Sequence, residues 1–195
     1  MEKILAVYCS PCYKSQSRTY ALMCAFVNAY QESHPDAVIQ WLDLNDQSDI
    51  INDPRLNEHN IDDRNNANPI YAKQLCSVDK LIIGTPVNYL TISALCKSWL
   101  EHVVRRGFTH THDGGVVKGL LTNLKVQVLI TKGEAKNDTD VFSSDYLKHV
   151  FKLWGAQVNP SIIIANTDSE ENKGKTPKEI IAPHLKTIKE VAGKF

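Results

Sequence analysis

Three short segments gather the residue types that could do chemistry. The first reads Cys9-Ser10-Pro11-Cys12-Tyr13-Lys14-Ser15-Gln16-Ser17. It lacks both the G-x-G-x-x-G fingerprint and the Walker A pattern, so no glycine loop is present to cradle a diphosphate. Its hydroxyls at Ser10, Ser15 and Ser17 and the amide of Gln16 lie where a helix is expected to begin. Free backbone N–H groups and the positive end of the dipole there favour a terminal monophosphate. Ser15 or Ser17 equally suits the plain role of helix N-cap. The second segment, Thr85 to Ser93, holds Pro86, Val87, Asn88, Tyr89 and Leu90. Its Asn and Tyr can hydrogen-bond the edge of a heterocycle while Val87 and Leu90 lie against the face. The third, Thr131-Lys132-Gly133-Glu134, offers a glycine where backbone can approach a flat ring.

Other reactive residues fit blander roles. Cys9-x-x-Cys12 has the spacing of a thiol–disulfide redox pair, but the helix is expected to start beyond it, so neither thiol would gain the dipole of a first turn. Cys24, Cys76 and Cys96 fall on or beside apolar helix faces and read as inert thiols. An odd count of five cysteines suits a reducing, cytoplasmic compartment better than a disulfide framework. His110-x-His112-Asp113 completes no closed metal site, and Asp62-Asp63 lacks the central glycine of a calcium loop, so no metal is expected. Lys plus Arg and Asp plus Glu are 22 each, which excludes a global field that would draw the chain onto nucleic acid or an anionic membrane. The N-terminus lacks the pattern of a signal peptide, and apolar runs are too short to span a bilayer.

The elements that must position these segments alternate along the chain. Ile4 to Tyr8 is an unbroken apolar run, as a central strand covered on both faces reads. A helix follows from Ser17 through Leu22, Phe26 and Ala29, then an edge strand at 37–44. Residues 45–69 form a long Asn- and Asp-rich connection, with partial helix or a lid or interface role. A helix at 70–77, a strand at 81–84 and a strongly amphipathic helix from Ile92 to Val104 come next. Further strands at 126–130 and 158–165 enclose a helix at 142–154 stopped by Gly155. Thr176-Pro177-Lys178-Glu179 combines an N-cap, a first-turn proline and a capping-box Glu, and opens a final helix through Ala192. Trp99 and Trp154 sit among aliphatic neighbours at helical spacing and read as core. This α/β alternation predicts an open, doubly wound parallel sheet of five strands with helices on both faces, one domain over residues 1–195. Such sheets bind ligands beyond the carboxyl ends of their strands, where the three segments fall.

Together the three segments resemble the FMN-dependent NADH azoreductases, relatives of the NAD(P)H quinone oxidoreductases on a flavodoxin-like fold with strand order 2-1-3-4-5. The family's serine after the first strand and its Ser-Gln-Ser at the helix start fall on Ser10 and on Ser15, Gln16 and Ser17. Its Pro-Met-Tyr-Asn-Phe before Ile-Ser and its helical Leu-Lys pair correspond to Pro86-Val87-Asn88-Tyr89-Leu90, Ile92-Ser93 and Cys96-Lys97. Arg106-Gly107-Phe108-Thr109 resembles the Ala-Gly-x-Thr-Phe stretch beyond that helix, and the likeness covers nearly the whole chain. Two departures stand out. The family's Tyr-Asn is exchanged to Asn88-Tyr89, and its Ser-Arg-Gly-Gly loop appears as Thr131-Lys132-Gly133-Glu134, adding a carboxylate at the pyrimidine edge of a flavin that would lower its potential.

The resemblance implies a ping-pong oxidoreductase in which NADH or NADPH gives a hydride to N5 of FMN and a quinone or azo compound then takes it. No side chain need serve as nucleophile or obligatory acid. It also implies a homodimer with the site at the interface, and the region from Phe108 to Val117 covering the site, with Phe108, His110 and His112 as substrate contacts. A flavodoxin-like electron carrier without hydride chemistry is the alternative, and it would usually show a charged docking face that the balanced charge does not suggest.

Overall fold

The structure is a computed structural model that describes residues 1–52, 69–135 and 140–195. β1 (Lys3–Tyr8) is buried from Ile4 onward. A 3₁₀ turn at Lys14–Gln16 leads into α1 (Arg18–Ser33), capped by Ser17, whose Oγ accepts the Tyr20 N–H at 3.1 Å. Of the two candidate caps the structure therefore uses Ser17. β2 (Val38–Asp43) buries only Leu42, as expected of an edge strand. The connection that follows contains a 3₁₀ turn at Leu44–Asp46 and the short α2 (Ser48–Asn52). The rest of that segment, with Pro54, Leu56, Ile61, Asp62 and Asp63, lies outside the described residues. α3 (Ile70–Cys76) leads to β3 (Lys80–Asn88), which runs four residues past the expected stop at Gly84 because it folds back through a tight turn onto β4 (Thr91–Ile92).

α4 (Ala94–Val103) starts at an N-cap, Ser93, and presents Cys96, Trp99, Leu100 and Val103 to the core. The region expected to cover the site is a separate antiparallel hairpin of β5 (His110–Asp113) and β6 (Val116–Gly119). β7 (Lys125–Thr131) and α5 (Asp140–Leu153) follow. The expected fifth strand is split into β8 (Gln157–Val158) and β9 (Ile162–Ile164) around Pro160, which has no N–H to give a ladder. Gln127 Nε2 donates to the Pro160 carbonyl across the gap at 3.0 Å. The expected last helix is likewise divided, into α6 (Pro177–Ile181) and α7 (Leu185–Ala192), by a 3₁₀ turn that holds Pro183. The capping box of Thr176 and Glu179 is present as expected.

The central sheet has the order β2-β1-β3-β7-β8, with β9 also beside β7, and these pairs are parallel. Leaving out the hairpin strands, this is the 2-1-3-4-5 order. Side chains alternate between its faces with the period of two that strands impose. Leu5, Val7 and Cys9 join the core beneath α3, α4 and α5, whereas Ile4, Ala6 and Tyr8 join the core beneath α1, α6 and α7. Among the described residues no helix is long and apolar enough to cross a membrane.

Candidate functional site

The cleft lies at the carboxyl ends of β1, β3 and β7, where the sheet order reverses between β1 and β3 and the crossovers leave the sheet in opposite directions. It has two lobes, of about 210 Å³ and about 590 Å³. The smaller is lined by Ser10, Gln16, Ser17, Pro86, Asn88 and Thr131, and the larger by Tyr89, Leu90, Lys132 and Glu134. Val87 and Gly133 border both. Twelve of the thirteen residues that the sequence proposed for the cofactor thus meet in one cleft. Ser15 does not: it is exposed on the 3₁₀ turn. Phe108, His110 and His112 line neither lobe of their own chain. His110 is buried with Nδ1 3.1 Å from Thr109 Oγ1, and His112 is exposed on the hairpin.

The loop after β1 is braced from several sides. Ser10 Oγ accepts the Cys12 N–H at 3.3 Å, Tyr8 OH donates to the Cys12 carbonyl at 2.6 Å, and Asn45 Nδ2 donates to the Ser10 carbonyl at 2.9 Å. Lys14 pairs with Asp43 at 2.8 Å. Burial works against the Asp43 carboxylate, but bonds from Lys14 and Asn45 outweigh it and hold the carboxyl below its usual range. Arg18 and Thr19 open α1, so their N–H groups have no helical carbonyl to bond, and both residues line the smaller lobe. The floor is tied across the sheet by Thr19 Oγ1 and Thr131 Oγ1, 2.6 Å apart.

Cys9 faces the core rather than the cleft, with Sγ 3.8 Å from the Val7 carbonyl. Burial, then the neighbouring Cys96, pushes its thiol well above the ordinary range. A thiol held protonated and covered in this way is a poor nucleophile, which removes the thiol–disulfide reading of Cys9 and Cys12.

The β3–β4 turn forms the outer wall. Tyr89 and Leu90 occupy its two central positions with φ of 48° and 70°. A two-residue turn with positive φ at both positions prefers Asn-Gly, and an L residue with a bulky side chain pays about 1–2 kcal/mol for each. The exchange to Asn88-Tyr89 puts tyrosine where asparagine is better tolerated, and Tyr89 is fully exposed. Tyr89→Asn is accordingly expected to raise stability by about 1 kcal/mol, read as a higher melting temperature. An unchanged or lower one would show that the turn is not strained.

The sequence missed the wall contributed by the segment after β9. Asn166, Thr167, Asp168 and Ser169 line the cleft, and backbone N–H groups of Asn166, Thr167 and Asp168 donate to the carbonyls of Glu134, Lys132 and Gly133 at 2.6, 3.1 and 2.9 Å. A Cβ on Gly133 would lie 2.1 Å from Asp168 Oδ2, so glycine leaves the room in which that carboxylate sits. Arg18 closes the same side through a 2.6 Å ion pair with Asp168. Lys132, only 3% exposed, stands 4.0 Å from the exposed Glu134, so the added carboxylate is partly offset by a cation next to it.

The residues present fit FMN. Ser169 Oγ is buried without a hydrogen-bond partner at the larger lobe, an unmet polar group that a heterocycle edge would satisfy. The smaller lobe supplies hydroxyl and amide donors at a helix start, the chemistry of a monophosphate site.

Comparisons with known proteins agree with this geometry. Residues 2–188 match the family model described as flavodoxin-like fold. A protein of Mycoplasmoides gallisepticum named FMN-dependent NADH:quinone oxidoreductase is 34% identical over 207 residues, covering 100% of both chains. An azoreductase from Bacillus anthracis is 24% identical with a TM-score of 0.77, covering 100% of both chains. An FMN-dependent NADH-azoreductase of the same species, solved in complex with FMN, is 19% identical with a TM-score of 0.74, covering 100% of this chain and 99% of its own. These two structural likenesses speak for the fold, whereas the full-length sequence match speaks for descent, and the chain belongs to the flavodoxin-like family that includes the FMN-dependent NADH:quinone oxidoreductases.

Proposed function

We propose that the chain is an FMN-dependent oxidoreductase that takes electrons from NADH and reduces quinones or azo compounds, acting as one flavin-binding domain in a cytoplasmic homodimer. The observation that carries this reading is the two-lobed cleft, in which three separated segments of the family's pattern meet at the carboxyl ends of β1, β3 and β7. Its relative of M. gallisepticum, matched over the full length of both chains, is named for the quinone half of that activity. Bound in the cleft, FMN would supply two-electron chemistry, accepting hydride from NADH and reducing the acceptor in a second step.

The residues of this chain bind and orient. Ser10, Gln16, Ser17 and the first-turn N–H groups of α1 would hold the phosphate. Pro86, Val87, Asn88, Tyr89 and Leu90 would wall the ring on one side, Thr131, Lys132, Gly133 and Glu134 on the other. Lys132 and Glu134 set the local field at the polar edge, and neither needs to move a proton to the acceptor. Phe108, His110 and His112 stand away from the cleft of their own chain, so contact with a substrate is left to a second copy. The five free cysteines suit a reducing compartment.

Steady-state NADH oxidation with a benzoquinone or an azo dye tests the reading. Turnover should require added FMN, and double-reciprocal plots at several acceptor concentrations should give parallel lines. A protein that keeps FMN bound yet oxidises no NADH would be an electron carrier instead.

A further inference from the structure

The Arg18–Asp168 ion pair spans the boundary between the two lobes. Arg18 is the first residue of α1, next to the Ser17 cap, and lines the smaller lobe. Asp168 borders both lobes. Its position is built rather than incidental: Asp168 N–H bonds the Gly133 carbonyl, and the missing Cβ of Gly133 makes room for the carboxylate. The guanidinium is therefore held at the mouth of the smaller lobe by a carboxylate fixed from the opposite wall.

We propose that Arg18 recognises the FMN phosphate by exchanging partners, leaving Asp168 for the phosphate, and that Asp168 holds the arginine in place and sets the affinity by competing for it. This rests on the cofactor reading above. Magnitudes favour the exchange. Both members of the pair are partly exposed, at 36% and 60%, and ion pairs of that kind contribute little because water already screens them. A phosphate monoester carries close to two charges at neutral pH and accepts the planar guanidinium fork in two bonds, so it outcompetes one screened carboxylate. The other donors of the lobe are uncharged hydroxyls, the amides of Gln16 and Asn88 and backbone N–H groups, and Arg18 supplies the cation that they lack. Asp168 acts chiefly through Arg18, which makes it a positioning residue.

Fluorescence titrations of apoprotein with FMN and with riboflavin, which lacks the phosphate, test the exchange. Arg18→Gln should raise the FMN Kd roughly ten- to hundredfold, the loss of a charge-assisted pair, and leave riboflavin binding unchanged. Arg18→Lys should fall between, keeping the charge without the planar fork. Asp168→Asn should shift the FMN Kd the other way, tightening it several-fold, and should have a smaller effect once Arg18 is glutamine, where only the direct repulsion between carboxylate and phosphate is relieved. A merely structural ion pair would loosen both ligands in both variants. Equal losses for FMN and riboflavin, or weaker FMN binding by Asp168→Asn, would overturn the proposal while leaving the cofactor reading intact. Failure of the folded wild-type protein to bind FMN would overturn both.

Discussion

Replacing Lys80 by methionine is expected to lower the unfolding free energy by on the order of 3 kcal/mol while leaving FMN affinity unchanged. Lys80 opens β3 at the end of the sheet opposite the cleft, and its side chain is only 7% exposed. Its ammonium pairs with Glu2 at 2.9 Å, donates to Tyr30 OH at 2.7 Å and lies 4.8 Å and 5.1 Å above the rings of Tyr30 and Phe195. Tyr30 OH in turn donates to Glu2. Burial, then Glu2, pushes the Tyr30 phenol up, so it stays protonated and remains a donor at neutral pH. Removing the cation leaves a carboxylate and a phenol oxygen without their shared partner, which costs more than the pair itself contributes. For a chain of this length the loss corresponds to roughly 6–12 °C in melting temperature.

The same cluster makes stability depend on pH. Burial alone would raise the Glu2 carboxyl, but bonds from Tyr30 and Lys80 outweigh it and hold it below the usual range. A folded-state value below the unfolded one stabilises above the unfolded pKa, and that contribution is lost as pH falls through the folded value. The wild-type melting temperature should therefore fall from about pH 5 downward, and less steeply in Lys80→Met. A variant that melts with the wild type and keeps the same acid slope would show that the cluster contributes nothing.

Ser93→Ala is expected to couple stability to cofactor affinity. Ser93 Oγ accepts the Cys96 N–H at 3.1 Å, donates to the Cys9 carbonyl and meets Thr85 Oγ1 at 3.5 Å, all without access to water. The side chain thus caps α4 and at the same time fastens the loop after β1 whose next residue is Ser10. Its loss removes a helix cap and strands a buried carbonyl, together about 2–3 kcal/mol. With that anchor gone the Ser10 loop loosens, and the FMN Kd should rise about tenfold. A destabilised variant with wild-type FMN affinity would separate the anchor from the site. The contrast with Lys80→Met matters because both substitutions destabilise, yet only the one beside the cleft should change binding.

Most of the cofactor cleft was legible in the sequence because its residues follow buried strands. Ile4 to Tyr8, Leu81 to Gly84 and Val126 to Ile130 announce themselves as apolar runs, and the rule that ligands lie beyond the carboxyl ends then points to Ser10, Pro86 and Gly133. The same rule applied to the fifth strand, whose expected end at residue 165 lies one residue beyond β9, would have reached Asn166 to Ser169, but these residues carry no motif of their own and join the cleft through backbone bonds to the 132–134 loop. Arg18 gave no periodic signal, being an ordinary first-turn residue whose importance comes from a carboxylate 150 positions away. The hairpin at 110–119 was hidden because its strands are mostly exposed and lack alternating apolar residues. Ser93 read only as part of the Ile-Ser entry to a helix, since nothing local reveals that its hydroxyl reaches the Cys9 carbonyl.

The most direct measurement is the visible spectrum of the apoprotein titrated with FMN and then reduced anaerobically by NADH, with the quinone added last. The account predicts a shifted flavin band that saturates at one FMN per chain, bleaches with NADH and returns when the quinone is admitted. A folded protein whose FMN spectrum stays that of the free cofactor at excess ligand would contradict it.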